Sequence, residues 1–340
     1  MFSIFEVWSN LKPGQGFFLL LLIPMAWLIP IMYSSCDEFY RYRLLERPDY
    51  NNSKWSDFWL VTVFTPIIMA SQYLTKKYTK PYFVNKLKNK FSGEVLDQKA
   101  NKSTKSMFKI VFFLAMTTLG YHICASTNYQ SPLMFGNGNL LLQSSDWPYM
   151  EVPKYLKLYY MMELSYQVSD MIYLFILPAQ GDFLEMLLHH YIAIMLISGS
   201  YMTNVWNSGI NVLLQMDGSE VFIGILRGFH DIWPTLIVVV ILITMIIGWA
   251  YFRVIVYSYE VLWGSVMTGR WTLDYNNTHQ TAFQMLIACL LLLNVYWLLL
   301  FFKILHTGVT KGNWKDYQNP VEDTIKNKMQ RKPMQKLATQ

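Results

Sequence analysis

The residues best suited to chemistry in this chain are the adjacent histidines His189 and His190. Imidazole changes charge near neutral pH, so such a pair can move a proton or attack an acyl carbon. Carboxylates accompany it at helical spacing. Asp182, Glu185 and His189 fall at i, i+3 and i+7. Glu163, Gln167 and Asp170 fall at i, i+4 and i+7, and Asp217, Glu220 and Arg227 at i, i+3 and i+10 with Gly224 on the same stripe. If these segments are helices, each set occupies one face. A carboxylate beside a histidine can orient one ring nitrogen and stabilise positive charge developing on the ring.

The elements that must position these groups are membrane spans. Of 340 residues, 53% are hydrophobic and 15% charged, whereas soluble domains carry about a quarter charged residues. A hydrocarbon core about 30 Å thick needs about 20 apolar helical residues. Runs of that kind occur at Gly16–Ser35, Phe58–Thr75, Ile110–Thr127, Tyr155–Leu177, Leu184–Thr203, Gly209–Phe229, Ile232–Phe252 and Ala282–Phe302. The expected fold is therefore an all-α, polytopic membrane protein with about eight transmembrane helices. Spans four, five and six carry the three polar stripes.

Lysine and arginine orient the bundle. With eight spans, 20 basic residues face one side and 8 the other, which puts both termini on the positive, cytosolic or matrix side. The stretches Lys76–Lys109 and Lys303–Lys336 supply most of them. They serve orientation and could also hold anionic lipid headgroups. At about 1.5 Å per residue from that face, His189 lies about 8 Å deep, Asp170 about 10 Å, Glu220 about 14 Å, Asp217 about 18 Å and Glu163 about 21 Å. Ionisable groups inside a membrane are costly and usually functional. A polar chamber in the positive-side half is expected.

Other signals are weaker. Pro24 and Pro30 should kink span one, which reads as an appended anchor, and the mixed-charge stretch Asp37–Trp55 reads as a solvated surface helix. Cys36, Cys124 and Cys289 show no disulfide or metal-ligand spacing. The sequons at Asn51 and Asn276 are short matches. No basic and aromatic interleaving in a soluble domain suggests nucleic acid, and neither a metal nor a bound cofactor is expected.

From about Lys102 to Lys303 the sequence resembles the TLC-domain family, and within it the ceramide synthase branch. The resemblance rests on Tyr159–Tyr166, on Asp182–His190, on Ile194–Tyr201 with Asn204, and on the step Asp217-Gly218-Ser219-Glu220. Phe252–Tyr257 and Asn294–Trp297 also fit. It implies a TLC-type helical bundle over residues 101–305, preceded by anchor spans and a basic loop (1–100) and followed by a basic polar tail (306–340). It further implies acyl transfer from coenzyme A to the amine of a sphingoid base. His189 and His190 would do the chemistry, supported by Asp217 and Glu220, while Glu163, Tyr166 and Asp170 would contact substrate. Acyl-CoA would be a co-substrate, membrane lipids the partners, and the endoplasmic reticulum the location.

Three positions depart from the family pattern. Met216 replaces a histidine next to Asp217, Glu220 replaces an aspartate, and Asn294 replaces a histidine in span eight. Methionine cannot exchange a proton, and losing a general acid or base typically costs about 10²–10⁴ in rate. A silent or weakly active lipid-binding or structural subunit of a membrane assembly, in the mitochondrial inner membrane for instance, is thus the leading expectation. An acyl-CoA-dependent N-acyltransferase is its rival. A third reading, a proton path, requires polar residues through to the far face, where span five offers only Ser198, Ser200 and Thr203.

Overall fold

A computed structural model describes residues 15–50, 53–138, 147–177, 182–265 and 277–311, with side chains from residue 26. Eight long helices occur among the described residues: α1 (Gln15–Glu46), α2 (Trp59–Leu87, after a 3₁₀ turn at Trp55–Phe58), α3 (Gly93–Thr127), α4 (Leu156–Ile176), α5 (Phe183–Met202), α6 (Trp206–Phe229), α7 (Thr235–Gly248, continuing π-helically through Trp249–Trp263) and α8 (Asn277–Lys311). All eight apolar runs fall on these helices, and no strand occurs among the described residues. In lipid every backbone polar group must be satisfied within its own segment, and the helix does this. Within the described residues six of the eight offer a stretch long and apolar enough to cross a bilayer; α4 does not, and the apolar run of α1 begins where side chains are not described. For α4 the reason is Lys157, Glu163 and Asp170, the last two of which are buried.

The chain divides into two compact units. The first comprises residues 1–68, 116–216 and 250–296, and the second residues 69–115, 217–249 and 297–340. In the first, α4 and α1 pack on α5. Gly199 of α5 permits part of this approach, since a Cβ there would meet Met32 and Phe283 at 2.8 Å. The second unit is held by the aromatic series Phe83, Phe229 and Trp233, with centroids 5.8 and 4.8 Å apart, and by Trp249 edge-on to Phe301 at 5.0 Å.

Two expectations need correction. The basic stretch Lys76–Lys109 is not a loop: α2 runs to Leu87 and α3 starts at Gly93, leaving a five-residue turn. Lysine favours helices, so an apolar span continues past the membrane without a break. The stretch Asp37–Trp55 is largely exposed, as a solvated helix would be, but it is neither helical nor solvated throughout. Helix α1 extends to Glu46, and Arg43 is 1% exposed, donating to Asn204 Oδ1 at 2.9 Å and to the Ser53 carbonyl. Arg43 thereby ties α1 to the α5–α6 turn. The sequon residues Asn51 and Asn276, and the tail from residue 312, lie outside the described residues.

Candidate functional site

The first unit contains the histidine pair. His190 sits midway along α5, 4% exposed, with Nδ1 2.8 Å from Oε1 of Gln167 on α4. An amide oxygen can only accept, so Nδ1 donates to it, and in the neutral ring Nε2 keeps its lone pair. His189 is half-buried, and its ring stands 5.4 Å from that of His190 at 61°. Consecutive helical residues diverge by about 100°, so the two rings point different ways. One is buried against α4, while the other is half-buried, its Nδ1 included in the interior.

The α4 stripe is wholly internal. Glu163 is 0% exposed, and Tyr166 donates its hydroxyl to Asp170 Oδ2 at 2.9 Å. Asp170 is therefore engaged along its own helix. Ser165 and Ser169, also fully buried, return their hydroxyls to main-chain carbonyls at 2.5 and 2.8 Å. On α5, Glu185 is buried and accepts from the Tyr296 hydroxyl of α8 at 3.3 Å. Asn294, the position of the missing histidine, is fully buried.

In the second unit, Asp217 is buried on α6, and Glu220 lies at the limit of an ion pair with Lys109 of α3, 4.0 Å away. Glycine at 224 lets α3 come close, since a Cβ would meet Ile110 at 2.8 Å. Gly218, beside Asp217, has open space where a Cβ would stand. The structure thus groups His189, His190, Glu163, Tyr166 and Asp170 in one unit and places Asp217 and Glu220 in the other. Among the described residues no cluster of three or more His, Cys, Asp or Glu could hold a metal ion.

Several polar residues escaped the sequence reading. Arg253, 1% exposed, donates from Nη2 to the main-chain carbonyl of Met216 at 2.6 Å. This anchors α6 at the residue preceding Asp217. Asn207, Asn211 and Gln215 form a buried column on α6, joined to the loop after α3 by Asn211 Nδ2 donating to the Tyr129 carbonyl at 2.7 Å. Ser131 of that loop donates to Glu260, itself 0% exposed. The four-residue spacing of Asn207, Asn211 and Gln215 was a usable signal. Arg253 stands in the stretch Phe252–Tyr257 that fits the family pattern, where nothing gave it a role.

A bundle of apolar helices enclosing a histidine pair and a file of buried carboxylates defines an integral membrane protein with an internal polar site. The family model described as TLC domain matches residues 102–303, well over half of the chain, and the chain belongs to that family. Its curated relatives put it in the ceramide synthase branch. It is 23% identical over 238 residues to a sphingosine N-acyltransferase of Schizosaccharomyces pombe, covering 66% of this chain and 60% of the relative. It is 25% identical over 259 residues to Ceramide synthase 1 of Arabidopsis thaliana, covering 72% and 83%. A ceramide synthase of Saccharomyces cerevisiae is 25% identical over 183 residues, covering 50% and 44%.

Proposed function

We propose that the chain is a lipid N-acyltransferase of the ceramide synthase type, transferring a fatty acyl group from acyl-CoA to a sphingoid base in the endoplasmic reticulum membrane. The observation that carries this reading is the orientation of His190 by Gln167, which leaves one imidazole nitrogen as a base inside the bundle. In the reaction the amine nitrogen bonds to the thioester carbon, the carbon–sulfur bond breaks, and the amine proton goes to an imidazole nitrogen. That proton then leaves with the coenzyme A thiol. The relatives named as sphingosine N-acyltransferase and ceramide synthase support the substrate class. Asp217, Glu220, Glu163, Tyr166 and Asp170 are assigned supporting and substrate-contacting roles by position in the family signature.

The test is transfer from labelled acyl-CoA to sphinganine by the purified chain, beside His189→Ala and His190→Ala. We expect activity that either substitution lowers by at least about 10²-fold. Wild-type activity no higher than the double variant, over several acyl chain lengths, would overturn it. A second reading, a lipid-binding subunit without catalysis, is favoured by Met216 and by Asn294, two imidazole positions of the family that here hold no imidazole. It expects that null result, with sphinganine or acyl chains retained through purification alongside stoichiometric protein partners. No observation favours the mitochondrial inner membrane for either.

A further inference from the structure

Eight of the ten lysines of the α2–α3 hairpin fall into two sets. One set is engaged within the second unit. Lys99 pairs with Asp231 at 3.0 Å, Lys90 donates to the main-chain oxygen of Asp231 at 2.7 Å, Lys109 approaches Glu220, and Lys80 pairs with Asp97 at 2.5 Å. The other set, Lys76, Lys77, Lys86 and Lys88, is exposed and has no carboxylate within 4.0 Å among the described residues.

Tyrosines share that outer surface. Tyr73, Tyr78 and Tyr82 are 64%, 73% and 54% exposed, far more than folding alone requires. The ammonium groups of Lys77 and Lys86 each lie 5.9 Å from a ring centre, of Tyr78 and Tyr82 respectively. Tyr78, Tyr82 and Lys86 recur every four residues, along a face separate from buried Phe83 and Leu87. The apolar part of this helix ends at Thr75 and is about 27 Å long at 1.5 Å per residue, close to the hydrocarbon thickness. Residue 76 onward therefore emerges at headgroup level, where tyrosine rings and long basic side chains are at home.

We propose that the exposed surface of the α2 extension, formed by Lys76, Lys77, Tyr78, Tyr82 and Lys86 with Lys88 just past its end, is a docking site for anionic phospholipid headgroups of the adjoining leaflet. The ammonium groups meet lipid phosphate and carboxylate, Tyr73 and Tyr78 flank the hydrocarbon edge, and continuity with the membrane-spanning part of α2 holds the surface there. This site is independent of the histidine pair and of acyl transfer.

The experiment reconstitutes the full chain in phosphatidylcholine vesicles containing phosphatidylserine and measures by spin-label EPR which lipid it prefers. We expect phosphatidylserine to be preferred, less so as salt shortens the screening length from about 30 Å at 0.01 M to about 8 Å at 0.15 M. Attraction of about 1 kcal/mol per lysine is roughly fivefold each, so exchanging Lys76, Lys77, Lys86 and Lys88 for glutamine should remove the preference, and Lys99→Gln should leave it. If the fourfold variant does not insert, the pairs Lys76→Gln/Lys77→Gln and Lys86→Gln/Lys88→Gln should each lower it. An unchanged preference in correctly folded variants overturns the proposal. So does its abolition by free coenzyme A, which would mean that the face holds a soluble polyphosphate.

Discussion

His190 and Gln167 meet through Nδ1 and Oε1 at 2.8 Å, so a neutral amide on α4 holds the imidazole on α5. A carboxylate in that place would both orient the ring and offset charge on it. An amide does only the first. The ring is fixed as a base, and compensation for an imidazolium must come from other groups.

That arrangement makes Gln167 a positioning residue. Gln167→Leu removes the acceptor and leaves a buried N–H unsatisfied, at about 1–3 kcal/mol. The expected result is a fall in kcat of about 5- to 150-fold with little change in KM, because the loss affects ring orientation and not lipid binding. Gln167→Glu keeps an acceptor and should retain more activity than the leucine variant. Equal kcat in wild type and Gln167→Leu, measured by acyl transfer to sphinganine, would remove Gln167 from the mechanism.

Met216→His tests whether the family imidazole can be restored. The 216 carbonyl is held by Arg253, so the backbone there stays fixed when the side chain changes. Activity should rise towards the roughly 10²-fold that a general acid or base contributes. An unchanged rate would show that the missing histidine at this position does not limit this chain. The double variant with Asn294→His checks whether the two positions act together.

Much of this was visible in the residues themselves, for identifiable reasons. Apolar length marks spans one by one, which is why eight runs coincide with eight helices. Ionisable residues in such runs stand out because the bilayer makes them costly, and so His189, His190, Glu163 and Asp170 were picked out. Arg43 was misread because its burial depends on Asn204, 161 residues away, while its immediate neighbours are charged. Gln167 likewise stands in the Glu163–Asp170 stripe, but only packing of α4 against α5 brings it to Nδ1 of His190. Arg253 lies in the Phe252–Tyr257 stretch of the family pattern, but its role depends on a main-chain carbonyl of another helix.

Arg43 offers a stability test. Its guanidinium cannot shed its charge, so losing a partner leaves a buried cation exposed to unfavourable surroundings. Asn204 adopts a φ of 58°, a conformation glycine accepts without strain, so Asn204→Gly removes its side-chain hydrogen bonds with Arg43, Ser53 and the Pro148 carbonyl without adding backbone strain. We expect a cost of about 3 kcal/mol, within the range for breaking a buried charge contact. Arg43→Met, which removes the charge and keeps much of the bulk, should cost less. Thermal unfolding in detergent by circular dichroism ranks them, and the reverse order would refute the argument.

At the end of the same helix, Tyr149 and Tyr42 donate hydrogen bonds to exposed Glu46, which hold its carboxyl below the usual carboxylate range. A depressed folded value means that the charged form stabilises the fold. That contribution is complete above the ordinary value and disappears as pH falls through the depressed one. Glu46→Gln should therefore lose that contribution at neutral pH, flattening the acid limb so that the two proteins converge at low pH. Identical acid limbs for the two proteins would contradict this.

Two glycines on α6 should respond oppositely to alanine. At Gly209 a Cβ would run into the hydroxyl of Tyr160, which is fully buried, and would also meet Ser200 Oγ at 2.9 Å. Tyr160 has no room to withdraw, so Gly209→Ala should destabilise by about 1–3 kcal/mol, as overpacking does. Gly218 has nothing within 4 Å of its Cβ position, and alanine there gains up to about 1 kcal/mol of helix propensity. The open space lies beside Asp217, so Gly218→Ala also probes the site. If that space admits lipid, the variant should show higher thermal stability together with a raised KM for sphinganine. Raised stability with an unchanged KM would place the substrate elsewhere.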